Sequence, residues 1–184
     1  MKTMVVDRGD DGQVGHHQPL NGISESEQTA AVYGQIAKRA ELFLAHGHRT
    51  IYAADLQKRL EQGEKIFLLD IRWSEDYDIA HIPGAINVEF IDVMEPHHLA
   101  KLPRDGTLIV IICYTGHTAS QMDAILNLLG YNAWTLRFGM LGWNSLTLAK
   151  IWSSLDAQNI SGGGYPTECL SATKQEEVEC GLWM

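Results

Sequence analysis

Residues 108–119 read Leu108-Ile109-Val110-Ile111-Ile112-Cys113-Tyr114-Thr115-Gly116-His117-Thr118-Ala119. The first five residues are an unbroken apolar run, which is typical of a parallel strand covered on both faces. A helical pattern follows, and its apolar positions are Met122, Ile125, Leu126 and Leu129. The segment therefore predicts a central strand, a glycine turn and a helix, with Cys113 at the carboxyl end of the strand. Ligands of open α/β sheets bind beyond that end, so Cys113 is a candidate site residue by position alone.

The Cys113 thiol lies in a turn at the N-terminus of the predicted helix. Unpaired backbone N–H groups and the helix dipole favour negative charge there, so a thiolate, the nucleophilic form of cysteine, is stabilised. Gly116 permits the positive φ with which such a loop can curl its amides towards the sulfur. A buried structural cysteine is the alternative, because that is the ordinary role of a lone thiol. The order of strand, cysteine, glycine turn and helix favours the functional interpretation.

On either side of this segment, short apolar stretches alternate with helical patterns, which indicates a parallel sheet with crossover helices. Strands are predicted near residues 50–52, 66–70, 85–88, 108–113 and 133–136. Helices are predicted near residues 53–62, 74–80, 91–102, 117–129 and 140–148. The chain is therefore expected to have an α/β fold.

The predicted domain occupies residues 48–150, with an extension on each side. Residues 1–23 contain several glycines and no hydrophobic period, and we expect a mobile arm there. Residues 151–184 are expected to form a C-terminal extension with a flexible acidic tail, tethered at the Gly162-Gly163-Gly164 run. Cys180, in that tail, is either a thiol that receives sulfur from Cys113 or an ordinary reduced thiol.

Residues 24–47 are predicted to form an amphipathic helix docked on the core. The helix start is indicated by the capping-box sequence Ser24-Glu25-Ser26-Glu27. The apolar residues that share one face are Val32, Ile36, Phe43 and Leu44.

Composition narrows the classes of function. The chain has 184 residues, 45% hydrophobic and 20% charged, with a net charge of −9, so one domain with appendages is expected. The negative charge argues against nucleic-acid and anionic-membrane partners. No apolar stretch is long enough for a membrane span, and the N-terminus lacks the apolar region of a secretory signal, so we expect a cytoplasmic protein. The three cysteines are too few and too unevenly spaced to predict a disulfide framework or a metal site. We also expect no cofactor. The oligomeric state stays open.

Several spaced motifs resemble those of a rhodanese domain. In chain order they are Asp70-Ile71-Arg72, Glu75-Asp76-Tyr77, His81-Ile82-Pro83-Gly84-Ala85-Ile86-Asn87, the Cys113 loop, Leu129-Gly130-Tyr131 and Gly139-Met140-Leu141-Gly142-Trp143-Asn144. The resemblance covers roughly residues 50–148 and implies a five-stranded parallel sheet with helices on both faces.

The resemblance implies a sulfurtransferase or persulfide carrier in which Cys113 is the catalytic nucleophile. The backbone amides of the loop would bind the persulfide, and their residues are Tyr114, Thr115, Gly116, His117 and Thr118. The implied partners are a small sulfur-containing donor and a cyanide or thiol acceptor, the thiol belonging to a small molecule or a protein. The alternative is a non-catalytic rhodanese-like module for protein binding or redox sensing.

The cysteine loop also differs in sequence from the corresponding loops of related proteins. Many relatives that use thiosulfate carry Arg or Lys in the loop, whereas His117 has no fixed charge, so thiosulfate is not expected to be the physiological donor. Related phosphatases have an arginine at the sixth place after the cysteine, and Ala119 stands there in this chain.

Arg72 is a candidate contact for a bound anion, and its alternative role is an ion pair with Asp70 that joins neighbouring loops.

Overall fold

The computed structural model describes residues 24–47, 49–145 and 163–168. The strands of the described chain form one parallel sheet and are β1 Thr50–Ile51, β2 Ile66–Asp70, β3 Ile86–Asn87, β4 Leu108–Ile112 and β5 Ala133–Leu136. The helices are α1 Glu25–Ala45, α2 Ala53–Glu61, α3 Ser74–Ile79, α4 Pro96–Leu99, α5 His117–Leu128 and α6 Gly139–Trp143. The strand order is β1-β5-β4-β2-β3, which confirms β4 as the central strand.

β4 is buried along its whole length, as its apolar sequence predicts. Leu108, Val110 and Ile112 belong to one apolar cluster, and Ile109 and Ile111 belong to a second. Because successive side chains of a strand point to opposite faces, the two clusters lie on the two faces of the sheet.

Helices cover both faces. The first cluster includes Leu56 of α2, Tyr77 of α3 and Trp143 of α6. The second includes Met122 and Leu126 of α5. The predicted α/β fold, a five-stranded parallel sheet flanked by helices, is confirmed.

The segment before β4 differs from the prediction of one helix over residues 91–102. Only Pro96–Leu99 are helical, and the residues before them form turns. Proline disfavours a helical conformation in the preceding residue, and Glu95 has φ −61° and ψ 135°, so the helix starts at Pro96. At the other end of the sheet, α6 starts one residue earlier than predicted and ends at Trp143, because Asn144 is extended.

The predicted capping box is present at the start of α1. The Ser24 amide donates to Glu27 Oε2 at 2.9 Å, and the Glu27 amide donates to Ser24 Oγ at 3.3 Å. The Ser24 hydroxyl also donates to Glu27 Oε2, at 2.7 Å, and this hydrogen bond together with that from the Ser24 amide lowers the pKa of the Glu27 carboxyl. Neither α1 nor any other helix in the described residues has the length and hydropathy to cross a membrane.

The chain divides within α1 into two compact units, the first ending at Gln35 and the second starting at Ile36. In the part of α1 that belongs to the second unit, Ile36 and Leu44 are exposed and Phe43 is partly buried. The expectation that this apolar face docks on the core is wrong for Ile36 and Leu44, because α2, α3, α5 and α6 already supply the helical side of both clusters.

Residues 163–168 lie against the domain. The backbones of His81 and Glu168 exchange two hydrogen bonds, of 2.8 and 2.9 Å. Trp143 Nε1 donates to the Pro166 carbonyl oxygen at 2.9 Å, and the Trp143 carbonyl oxygen accepts from the Tyr165 amide at 3.1 Å. The prediction of a flexible tether is therefore wrong for residues 163–168. The predictions of a mobile arm over residues 1–23 and of a role for the tail thiols Cys169 and Cys180 concern residues outside the described ones.

Candidate active site

Cys113 follows β4 directly, and its sulfur accepts hydrogen bonds from two backbone amides. The Gly116 amide donates to Sγ at 3.0 Å, and the Ala119 amide donates at 3.4 Å. Gly116 caps α5 with φ 88°, in the left-handed region that its lack of a Cβ makes accessible. The loop thus curls around the sulfur, and these amides stabilise negative charge on it.

The amides nearest the sulfur differ in part from those that the resemblance implied. Gly116 belongs to the predicted set, whereas Ala119 does not. In the described chain, the amides of Thr115, His117 and Thr118 donate to no protein acceptor. The first amides of a helix have no partner within it, so those of His117 and Thr118 remain able to bind a second atom beyond the sulfur.

α6 holds the backbone of the cysteine loop. The Met140 amide donates to the Cys113 carbonyl oxygen at 2.9 Å, and the Leu141 amide donates to that of Tyr114 at 3.0 Å. Gly139 has φ 52°, and a Cβ placed there would lie 2.3 Å from the Cys113 carbonyl oxygen. The loop therefore depends on a glycine 26 positions away, whose place in the family motif is visible in sequence but whose contact is not.

Tyr114 joins the loop to α3. Its hydroxyl donates to Asp76 Oδ2, and the Trp73 amide donates to the same hydroxyl at 3.4 Å. Burial, together with the hydrogen bond to Asp76 and its charge, raises the pKa of Tyr114 well above the ordinary value. In the sequence Asp76 stands out only as part of the Glu75-Asp76-Tyr77 motif, and its contact with Tyr114 was not predicted.

The Arg72 side chain forms an ion pair and hydrogen bonds within the domain. Its fully buried side chain forms an ion pair with Asp70, with Nη2 2.7 Å from Oδ2 and Nε 3.0 Å from Oδ1. Nη2 also donates to the Ala80 carbonyl oxygen at 2.8 Å, and Nη1 donates to that of Asp76 at 3.4 Å. Every guanidinium nitrogen thus has a protein acceptor, so the geometry favours the ion-pair interpretation over the predicted substrate contact.

Among the described residues, the cysteine loop itself carries no Lys or Arg side chain. Thr115 and His117 are exposed, and Thr118 is partly exposed. Arg137 follows β5, but its guanidinium donates to the Tyr52 hydroxyl beyond β1 and lies 4.6 Å from the centre of that ring. Because β1 lies on the far side of β5 from β4, Arg137 is held away from the cysteine strand.

Two exposed aromatic residues follow the strands on either side of β4. Trp73, shortly after β2, is 51% exposed, and Phe138, shortly after β5, is 53% exposed. Phe138 has φ 64°, an uncommon conformation for a bulky residue, and such strain is concentrated at functional sites. The carboxyl edge of the sheet therefore has an apolar rim, defined here as Trp73 and Phe138.

The sequence of this chain is similar to those of several known proteins. The family model of the Rhodanese-like domain matches residues 52–146. A probable adenylyltransferase/sulfurtransferase, MoeZ of Mycobacterium tuberculosis, is 34% identical over 51% of this chain and 24% of its own length. The putative sulfurtransferase YtwF of Bacillus subtilis is 26% identical over 55% of this chain and 96% of its own length. This chain thus spans about a quarter of MoeZ.

Among solved structures, the Alr3790 protein from Anabaena superposes with a TM-score of 0.52 at 24% identity, over 66% of this chain and 82% of that protein. This similarity concerns the fold. The parallel sheet, the cysteine loop after its central strand and the matched residues 52–146 define a rhodanese-type domain. The chain belongs to the rhodanese-like domain family, and two of the relatives that it matches, MoeZ and YtwF, are named as sulfurtransferases.

Proposed function

We propose that the protein is a sulfurtransferase or persulfide carrier in which Cys113 carries the transferred sulfur. The observation that carries the proposal is the pair of backbone amides, from Gly116 and Ala119, that donate to Cys113 Sγ. A purely structural cysteine needs no anion-binding loop, whereas a thiolate nucleophile does.

In the first step, the Cys113 thiolate attacks the outer sulfur of a sulfane donor. A bond forms between Sγ and that sulfur, the bond between the outer sulfur and the rest of the donor breaks, and the leaving group departs with the electron pair. The enzyme then holds an anionic persulfide, which the free amides of Thr115, His117 and Thr118 would stabilise at the outer sulfur.

In the second step, an acceptor thiolate or cyanide attacks the outer sulfur of the persulfide. The bond between the two sulfurs of the persulfide breaks, Cys113 leaves as a thiolate, and the acceptor leaves with the sulfur. The two displacements need no external oxidant or reductant, and they split the transfer into a ping-pong sequence.

The surroundings of Cys113 favour an organic persulfide over thiosulfate as donor. Thiosulfate is a dianion and binds best to a fixed cation, whereas the nearby Arg72 is paired with Asp70 and Arg137 contacts Tyr52. The apolar rim of Trp73 and Phe138 suits a donor or a protein acceptor with an apolar part.

The test is mass spectrometry of the full chain after incubation with glutathione persulfide, inorganic polysulfide or thiosulfate. We expect the mass of one sulfur atom to be added to a peptide that contains Cys113, and to be lost on addition of a thiol or cyanide. Cys113→Ser should abolish this change, whereas Cys169→Ser and Cys180→Ser should retain it.

Failure of Cys113 to gain sulfur from any of the donors, in a chain with native circular dichroism, would instead support the non-catalytic binding module. Gain of sulfur at Cys113 without its loss to a thiol or cyanide would contradict turnover.

A further inference from the structure

A cavity lies at the end of the sheet where the strands begin, opposite the end that carries Cys113. It is a cavity of about 310 Å³, lined by residues next to the starts of strands, including Arg49 before β1, Gly106 before β4 and Asn132 before β5. Seven residue steps along β4 separate Gly106 from Cys113, which corresponds to about 20 Å in an extended strand. The cavity is therefore distinct from the cysteine loop.

Three arginines line this cavity, which we call the arginine pocket: Arg39, Arg49 and Arg104. None of them forms an ion pair with a carboxylate among the described residues. No Asp or Glu of the described chain lines the cavity either. In a chain with a net charge of −9, such a concentration of positive charge needs an explanation.

Neighbouring groups hold the arginines in position. Arg39 Nη1 donates to the Leu128 carbonyl oxygen at 2.9 Å. Its guanidinium lies over Gly130, where a Cβ would come within 3.2 Å of Nη2. Arg104 Nη2 donates to the Tyr131 hydroxyl at 2.7 Å, and its guanidinium lies 4.6 Å from the centre of the Tyr131 ring.

Arg49 carries an unused donor. Its Nε is buried and has no hydrogen-bond partner in the described part of the chain. A buried donor without an acceptor is energetically costly, and it lies on a residue that lines the pocket. The Arg49 guanidinium also lies 5.9 Å from the centre of the Phe43 ring. Each of the two aromatic rings that line the pocket, Phe43 and Tyr131, therefore has an arginine over it.

Two acids beside pocket residues, Asp123 and Asp105, have hydrogen-bond partners of their own. Asp123 feels the charge of Arg49, but its carboxylate accepts from Asn127 Nδ2 at 2.6 Å and from Thr135 Oγ1 at 3.3 Å inside the core. Asp105 accepts from the Thr107 amide at 3.0 Å and from Lys65 Nζ at 3.2 Å. The positive charge of the pocket is therefore only partly compensated.

We propose that the arginine pocket binds a small polyanion that carries phosphate or carboxylate groups. Guanidinium groups bind both groups through paired N–H donors, and three of them around one cavity match a ligand with several negative charges. The cavity has room for more than one oxyanion group, so a diphosphate or a tricarboxylate fits better than a single inorganic anion.

Isothermal titration calorimetry of the full chain with pyrophosphate and with citrate, at fixed ionic strength, tests the proposal. We expect at least one of them to bind at one site per chain. Arg49→Gln and Arg104→Gln should each weaken binding by about tenfold or more, since each removes a charged donor. Arg59→Gln is the matched control, because Arg59 pairs with Glu64 outside the pocket, and it should bind within about twofold of wild type.

Binding of pyrophosphate alone would identify phosphate as the recognised group, and binding of citrate alone would identify carboxylate; either result supports the site. No binding of either ligand, or equal binding by the wild type, Arg49→Gln and Arg104→Gln, overturns the proposal. Circular dichroism of each variant excludes unfolding as the cause of a loss. Sulfur loading of Cys113 is read separately, so the two sites can fail independently.

Discussion

The α-carbon of Gly139 faces the carbonyl oxygen of Cys113 so closely that a Cβ on Gly139 would lie 2.3 Å from that oxygen. The next residue, Met140, donates its amide to the same oxygen at 2.9 Å. The start of α6 therefore acts as a backbone support for the cysteine loop, and only glycine allows the approach.

Gly139→Ala should destabilise the protein and abolish sulfur loading of Cys113. The left-handed φ of 52° alone costs alanine about 1 to 2 kcal/mol, and the contact with the Cys113 carbonyl adds to that. Gly63→Ala is the matched control, because Gly63 also has a left-handed φ, of 74°, but its Cβ would meet open space. Urea unfolding and mass spectrometry of the persulfide measure both effects.

Equal losses of stability in Gly139→Ala and Gly63→Ala, with sulfur loading intact in both, would show that the approach of α6 does not shape the loop.

His117→Arg should improve the use of thiosulfate. His117 is exposed at the first position of α5, beside amides that face the site, and arginine there would supply the missing fixed cation. We expect the KM for thiosulfate to fall by about threefold to tenfold, since a charged hydrogen bond is worth about 1 kcal/mol or more. Steady-state kinetics with cyanide as acceptor give the value.

The control for that substitution is Gln121→Arg, which adds the same charge at an exposed position further along α5. It should leave the KM unchanged. A similar improvement in both variants would assign the effect to net charge and not to the loop.

Tyr114→Phe should loosen the cysteine loop without removing the Tyr114 ring. The variant removes the donor to the Asp76 carboxylate, and the loss should lower the free energy of unfolding by about 1 to 2 kcal/mol. Tyr33→Phe, at an exposed position of α1, should change it by less than about 0.5 kcal/mol. Denaturant titration measures both, and equal effects would contradict the structural role of the Tyr114 hydroxyl.

Asp123 makes the stability depend on pH. Burial of the carboxyl raises its pKa to about 7, although Thr135, Arg49 and Asn127 act in the opposite direction. The folded protein then holds a proton that the unfolded chain releases near pH 4, so this group lowers stability as pH rises from about 4 to about 7 and has a constant effect above that.

Asp123→Asn should remove that dependence. Relative to the variant, the wild type should lose on the order of 4 kcal/mol between pH 4 and pH 8, since the pKa differs by about three units and one unit corresponds to about 1.4 kcal/mol. Urea unfolding of both proteins across the pH range gives the difference. A difference that stays constant from pH 4 to pH 8 would mean that Asp123 is ionised in the folded protein throughout.

Local patterns along the chain were enough to predict the order of the main elements and the position of the cysteine. The apolar run at 108–112, the glycine at 116 and the capping box at Ser24 each act through neighbouring residues, and each is present in the structure. The prediction of a helix over residues 91–102 is wrong because Pro96 disfavours helix in the residue before it, so only Pro96–Leu99 are helical.

Contacts between distant residues depend on how the strands are ordered in the sheet, and no pattern along the chain encodes a distance between them. Arg72 could be placed near the cysteine edge, but only packing shows that its guanidinium is used by Asp70, Asp76 and Ala80. In the same way, Arg39, Arg49 and Arg104 are scattered along the chain and meet because β1, β4 and β5 start at one edge of a parallel sheet. Local backbone preferences act over a few residues, whereas side-chain partners are chosen by the folded arrangement as a whole.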